Sequence, residues 1–479
     1  MIFSHLPASP PPCDPLALAP APAPALETGY VPEAELVEDD AVIGVRAADP
    51  LTLDVELEHP APYFLDLTGV PNLAPVRRDV VEPFQQRGEP DLWTRPESLV
   101  VNGPYTFESW RFQDAITMKP NPRWWAADTL RIRRLVFLEV SSQHATMNLY
   151  KAGDIDFLGD NVTLPAEYAE RLKAKADYRQ SPYLATLWYE LNTRRPPLDD
   201  VRVRRALHLA IDRRELVATV LRGRQVPATH YVPDYTGGGY AEQAARDREA
   251  GADPFAGPGL DFDPERARAL LAEAGYPAVE EGDRLQARGF PPLEILYNSA
   301  EEHRKVAVAI QDMWRRHLGV SVSLRAEEWK VMLTTVRDGQ FQIARVGWVA
   351  DYNHPHTWMS SFMASNPQNP TGWSDPEFDA LVHAAAVEPD PAEGIRLYRK
   401  AERRALDAMV RLPLYFRSRD TLVKPWVKGF HPTPRDFHLA RWLWIDPAWR
   451  DNAGNELASA PLELPPPGRI GPAAPGGSP

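Results

Sequence analysis

A chain of 479 residues is longer than one hydrophobic core usually organises, so two or more lobes are expected. Its 44% hydrophobic and 25% charged residues are those of an ordinary globular protein, and a net charge of −13 argues against nucleic acid, which needs a basic face. Cys13 is the only cysteine, which excludes an intrachain disulfide.

The first stretch is unusual. Nine prolines fall within the first 32 residues, and no Lys or Arg precedes Arg46. Prolines at that density break the apolar helix that a signal peptide requires. Cys13 follows Pro12 rather than a small residue, so a lipoprotein acylation box is not convincing. Residues 1–44 are read as a low-complexity leader, and the Pro/Gly-rich residues 447–479 as an unstructured tail. No apolar run is long enough to span a bilayer.

From there the elements follow in chain order. LTLDVELEH (51–59) alternates Leu51, Leu53, Val55 and Leu57 with polar residues and predicts a half-buried strand. Residues 102–125 predict a hairpin and an aromatic turn, and 130–140 a strand. Residues 141–159 predict a short helix closed by Gly153, then an apolar strand. Residues 198–223 read as a helical pair, with Val203, Ala206, Leu207, Ala210 and Ile211 on one stripe and Asp212 with Glu215 capping the second helix. Asp263 and Pro264 open a helix that Gly275 closes. Strands at 293–298, 320–324 and 341–347 then alternate with helices at 302–317 and 327–337, the pattern of an α/β lobe. Helices Pro376–Ala386 and Glu393–Met409 and a strand at 412–418 complete it.

Little here suggests catalysis. Neither a nucleophile elbow nor a phosphate loop is present. Gly237, Gly238 and Gly239 read as a flexible loop, and Asp199 and Asp200 as a helix cap. His354 and His356 read as surface or hydrogen-bonded loop histidines rather than metal ligands, since no metal-binding spacing accompanies them. ARVGWVADYNHPHTW (344–358) poses the sharper question. A buried strand does not usually end in a carboxylate. Either the chain turns outward at Asp351, or Asp351 and Arg345 face a cavity that holds something charged.

The segments LEHPAPYFL (58–66), LWTRPESLVVNGPY (92–105), NLYKAGDIDF (148–157), LNTRRPPLDDVRVRRALHLAIDRRELVATVLRGRQVPATHYVP (191–233), RVGWVADYNHP (345–355) and RLPLYFRSRDTLVKPWVKGF (411–430) together resemble family 5 of the extracellular solute-binding proteins, above all its oligopeptide-binding members. The resemblance covers about 45–446 and implies an α/β fold, periplasmic-binding-protein type II-like, with two lobes around a cleft, built from three discontinuous domains and N-terminally incomplete. It implies a partial small domain at 45–98 (domain II-like), a first lobe at 99–188 and 416–446 (domain I-like) and a second α/β lobe at 189–415 (domain III-like).

The function implied is a non-enzymatic, periplasmic receptor without cofactor or metal. It would be a monomer that captures oligopeptides for the permease and ATPase subunits of an ABC importer. The alternatives are a family member for another solute (dipeptide, cell-wall peptide, nickel chelate or haem) and a truncated form with impaired binding. Carried over residue by residue, Asp351 meets the peptide's N-terminal ammonium, Arg345 the C-terminal carboxylate of short peptides, and His303 that of slightly longer ones. Trp329 and Trp348 lie near the pocket, and backbone groups of Gly347 and Val349 bond the peptide main chain. The family's paired cysteines correspond to Trp188 and Val349, and TGGGY (236–240) stands where the closest relatives have a lysine.

Overall fold

The computed structural model describes residues 2–5 and 44–448, apart from short stretches at 71–72, 141, 160–163, 165–167, 223–224, 257–258 and 283. Cys13, Gly223 and the tail beyond 448 lie outside the described residues.

The main sheet has seven strands: β1 (Phe157–Leu158), β2 (Tyr178–Leu191), β3 (Val226–Pro227), β4 (Leu293–Asn298), β5 (Val322–Glu327), β6 (Ile343–Val349) and β7 (Arg411–Val423). Their spatial order is β5-β4-β6-β2-β7-β1, with β3 also on β7. β4 runs parallel to β5 and β6, and every other pairing is antiparallel. Parallel neighbours need crossover helices. These are α3 (Glu301–Leu318) and α4 (Trp329–Arg337), preceded by α1 (Val201–Leu209) and α2 (Pro264–Glu273) and followed by α5 (Pro376–Val387) and α6 (Pro391–Ala408).

Local chemistry fixes these helices much as the sequence predicts. Asp200, Asp263, Asp375 and Asp390 each cap a helix by accepting a backbone N–H, and Pro stands in the first turn of α2, α5 and α6. α3 buries Val306, Ala307, Ile310, Met313, Trp314 and Leu318 on one stripe, and Gly319 ends it at φ 69°. Each large apolar side chain so buried contributes about 1.5–3 kcal/mol. β5 runs three residues and β6 two residues further toward their C-terminal ends than the pattern indicates, which brings Trp348 and Val349 into β6.

The second sheet comprises Tyr105–Arg111, Ala115–Pro120 and Ile132–Leu138, the last pairing with Ile2–His5 from the stretch read as leader. Its core of Tyr105, Trp124, Ile132 and Leu135 includes Phe157 of β1 and Val423 of β7. The long antiparallel ribbon of β2 and β7 therefore belongs to both cores, since Leu187, Tyr189 and Leu412 pack in the larger one.

Two expectations need correction. The strand at 51–59 is shorter, Thr52–Val55, and wholly exposed, because among the described residues it pairs only with Val45–Asp49. The glycine triplet is closely packed rather than a flexible loop. A Cβ at Gly237 would lie 2.6 Å from the Asn353 amide and one at Gly238 2.4 Å from the His354 ring, while Gly238 and Gly239 hold φ of 67° and 93°. Of the two readings of His354 and His356, the hydrogen-bonded loop holds rather than the surface: His354 is buried and its Nδ1 accepts from the His356 N–H at 3.3 Å.

Candidate functional site

The sheet forks beside β6. β4 and β6 pair only at Ile295–Ile343 and Leu296–Ala344, and then diverge. From Arg345 to Val349 only β2 lies alongside β6, so the opposite edge of its backbone has no strand partner among the described residues. A cavity of about 750 Å³ opens in this fork. Parallel strands that part at their C-terminal ends leave a crevice of this kind.

Six of the seven candidate residues line it: Arg345, Gly347, Trp348 and Val349 from β6, His303 from α3 and Trp329 from α4. Gln143, His144 and Leu164, all earlier in the chain than β2, supply another part of the wall. Trp329 is exposed at the first position of α4, where Glu328 caps the helix. Trp348 donates its indole N–H to Thr357 Oγ1 at 3.0 Å, which fixes the ring. A Cβ at Gly347 would come within 3.0 Å of the Thr186 carbonyl oxygen, so a glycine lets β6 lie this close to β2.

Arg345 is the unusual group. Only 8% of it is exposed, its Nε has no partner, and its Nη1 makes one long bond of 3.4 Å to Asn298 Oδ1. Burial pulls its pKa down to about 10. A buried cation normally has a counter-ion close by, but no carboxylate of the described residues lies within ion-pair distance of this one.

His303 lies in the first turn of α3, and burial, with Arg345 and Arg417 nearby, lowers its pKa to about 3. It is therefore neutral at neutral pH, with its ring hydrogen-bonded to the Asn298 backbone. The N-terminus of α3 also borders the cavity through Ala300, Glu301 and Glu302, with no side-chain cap, and its dipole favours a negative guest.

Asp351 does not line this cavity. It stands two residues past β6, with its side chain exposed and Oδ2 accepting from Thr357 Oγ1 at 3.4 Å. Its own N–H donates to the same hydroxyl at 3.2 Å, so locally it is a turn residue. The histidine pair is likewise apart from the cavity. Tyr63 stacks on His356 at 4.4 Å and lies 5.3 Å from His354, and Tyr352 Oη meets His356 Nδ1 at 2.5 Å. Among the described residues no group of three or more His, Cys, Asp or Glu could hold a metal.

Sequence reasoning missed Asn298, which steadies Arg345, and Arg417 of β7, which reaches the same cavity. The only sequence signal for Arg417 was a strand whose apolar run, Leu412–Phe416, changes abruptly to Arg417-Ser418-Arg419.

Comparison with known proteins agrees with this geometry. The family model for bacterial extracellular solute-binding proteins, family 5 Middle, matches residues 16–370. The periplasmic oligopeptide-binding protein OppA of Salmonella typhimurium is 34% identical over 398 residues, 81% of this chain and 67% of that protein. The periplasmic murein peptide-binding protein MppA of Escherichia coli is 30% identical over 406 residues, 84% of this chain and 71% of that protein. Among solved structures, Haemophilus influenzae OppA in complex with RPPGFSPFR superposes with a TM-score of 0.69 at 30% identity, covering 84% of this chain and 75% of that one. The α/β fold is that of the type II periplasmic binding proteins. The chain belongs to family 5 of the bacterial extracellular solute-binding proteins, which are binding proteins rather than enzymes.

Proposed function

We propose that this chain captures short peptides in the fork of its main sheet and delivers them to the permease and ATPase subunits of an ABC importer. The observation that carries the reading is Arg345, a buried guanidinium without a carboxylate, set beside an unpaired strand edge. An extended peptide satisfies both: its C-terminal carboxylate meets the Arg345 fork and its backbone pairs with the edge, as in strand addition. His303 and the N-terminal turn of α3, with its favourable dipole, border the same cavity.

Asp351 takes the peptide's N-terminal ammonium at the other end. Six residue steps separate it from Arg345, about 20 Å of extended chain. That span suits free-ended peptides of a few residues. Side chains on a strand-paired ligand project away from the shared backbone plane, so the main chain and termini supply the common affinity and side chains act through separate pockets. Relatives named for oligopeptides and murein peptides favour the same ligand class. We further propose a division into 45–98, 99–188 with 416–446, and 189–415, and a periplasmic location. No helix among the described residues is long and apolar enough to cross a membrane.

Calorimetry with tri- to pentapeptides tests the reading. Removing the Arg345 guanidinium should cost about 2–5 kcal/mol, roughly 30- to several-thousand-fold in affinity. Amidating the peptide's C-terminus should weaken binding to the unaltered chain in the same direction. If peptides bind and neither change matters, the site assignment is wrong.

A further inference from the structure

The cavity holds a second guanidinium that a single terminal carboxylate does not need. Arg417 lies in β7, two strands across the sheet from Arg345, and lines the same hollow. It faces an irregularity in β2: between the pairs Phe416–Thr186 and Ser418–Pro182, residues 183–185 of β2 lie opposite Arg417 alone. Such a bulge disrupts the ladder locally and increases its twist, which changes how neighbouring side chains are aimed. Like Arg345, Arg417 has no carboxylate of the described residues within ion-pair distance; the Tyr183 ring lies 5.6 Å from its guanidinium carbon.

Glu302 exerts a favourable charge interaction on Arg345, but among the described residues no acidic residue of the cavity forms an ion pair with either arginine. Glu301 is engaged by Lys305 at 2.8 Å and its side chain is 72% exposed. Glu302 makes an ion pair with neither arginine. His303 is neutral beside them, its pKa lowered by burial and by both guanidiniums. Two cations therefore line the same cavity as the N-terminal turn of α3, and both act electrostatically on His303.

We infer that Arg345 and Arg417 form a two-guanidinium subsite that selects peptides whose C-terminal residue carries a carboxylate of its own. The α-carboxylate takes Arg345 and the side-chain carboxylate takes Arg417. This rests on the peptide reading above. It adds a chemical class, peptides ending in a dicarboxylic amino acid, and names Arg417 as the residue that sets the preference.

The test is calorimetry of the full chain with Ala-Ala-Glu against Ala-Ala-Gln, and with the corresponding tetrapeptides, plus Glu-Ala-Ala as a positional control. Charge-assisted hydrogen bonds of this type predict a preference of about tenfold or more for the C-terminal Glu peptide over its neutral isostere. Glu-Ala-Ala should gain nothing over Gln-Ala-Ala. Arg417→Gln should bring the Glu/Gln ratio close to one, and Arg417→Lys should restore part of it, with melting curves confirming that both variants are folded. If the unaltered chain binds the Glu and Gln peptides equally, or Arg417→Gln retains the preference, the subsite is refuted while the peptide reading stands. If no peptide binds, both fail.

Discussion

Arg345 and Asp351 sit six residues apart yet occupy opposite environments. The arginine is buried and unpaired; the aspartate is exposed and already accepts from Thr357. An exposed charge interacts through high dielectric, so its contribution to binding is the smaller. Asp351→Ala should cost about 1 kcal/mol in peptide affinity, roughly fivefold. Calorimetry at low and high salt should show that this loss shrinks as salt screens the pair. A loss as large as that for Arg345→Ala would mean that the aspartate is desolvated in the complex. The residue types of the site were legible in the sequence, through the family resemblance of RVGWVADYNHP. Their burial was not, because it depends on where β4 leaves β6 and on the irregularity in β2 that faces Arg417. Neither is encoded in local periodicity.

At the scale of elements, the ribbon of β2 and β7 carries a costly interior pair. Arg411 Nε lies 3.0 Å from Glu190 Oε1, with side-chain exposures of 1% and 2%. The guanidinium also bonds Ser361 Oγ at 2.7 Å and the Gln368 carbonyl at 3.1 Å, and lies over the Phe362 ring at 3.9 Å. Burial raises the Glu190 pKa and lowers that of Arg411, so each relies on the other to stay charged. Arg411→Leu alone should destabilise by about 3–5 kcal/mol, because it strands a buried carboxylate. The double variant with Glu190→Leu should recover most of that in chemical denaturation. Equal instability of single and double variants would show that the bonds to 361 and 368, rather than the ion pair, hold this region. Caps and apolar stripes made the helices legible almost to the residue. The pairing partners of β2 and β7 were not, since they are fixed by contacts hundreds of residues apart. Nor was the packing of Gly237 and Gly238 against Asn353 and His354, which a glycine run alone does not reveal.

For the molecule as a whole, Tyr63 joins the early segment to the chain just past β6. Its ring is buried against Tyr352, His354 and His356. Burial lowers the pKa of His354 to about 3 and of His356 to about 4, from an ordinary 6.5. The folded state therefore binds protons less readily than the unfolded one. Stability contributed by the neutral rings is complete above about pH 6.5 and is lost as pH falls toward those lowered values. The melting temperature should already decline between pH 6.5 and 5, above the range in which most carboxylates titrate. His354→Phe with His356→Phe should flatten that decline, and an unchanged slope would assign it to other groups. Tyr63→Ala should speed amide hydrogen exchange around 352–356, as the ring that covers the histidines is gone.

The unpaired edge of β6 has one more consequence. An open strand edge normally invites sheet-to-sheet growth between molecules, and proteins blunt such edges with lysine, proline or a covering helix. Arg345–Val349 carries neither lysine nor proline. Its protection is concavity: the edge lines a hollow of about 750 Å³ rather than the outer surface. A folded protein cannot push a strand that deep, while a loose chain of a few residues can. The recess thus acts as a sieve, sparing the molecule from aggregation through an edge it must keep open.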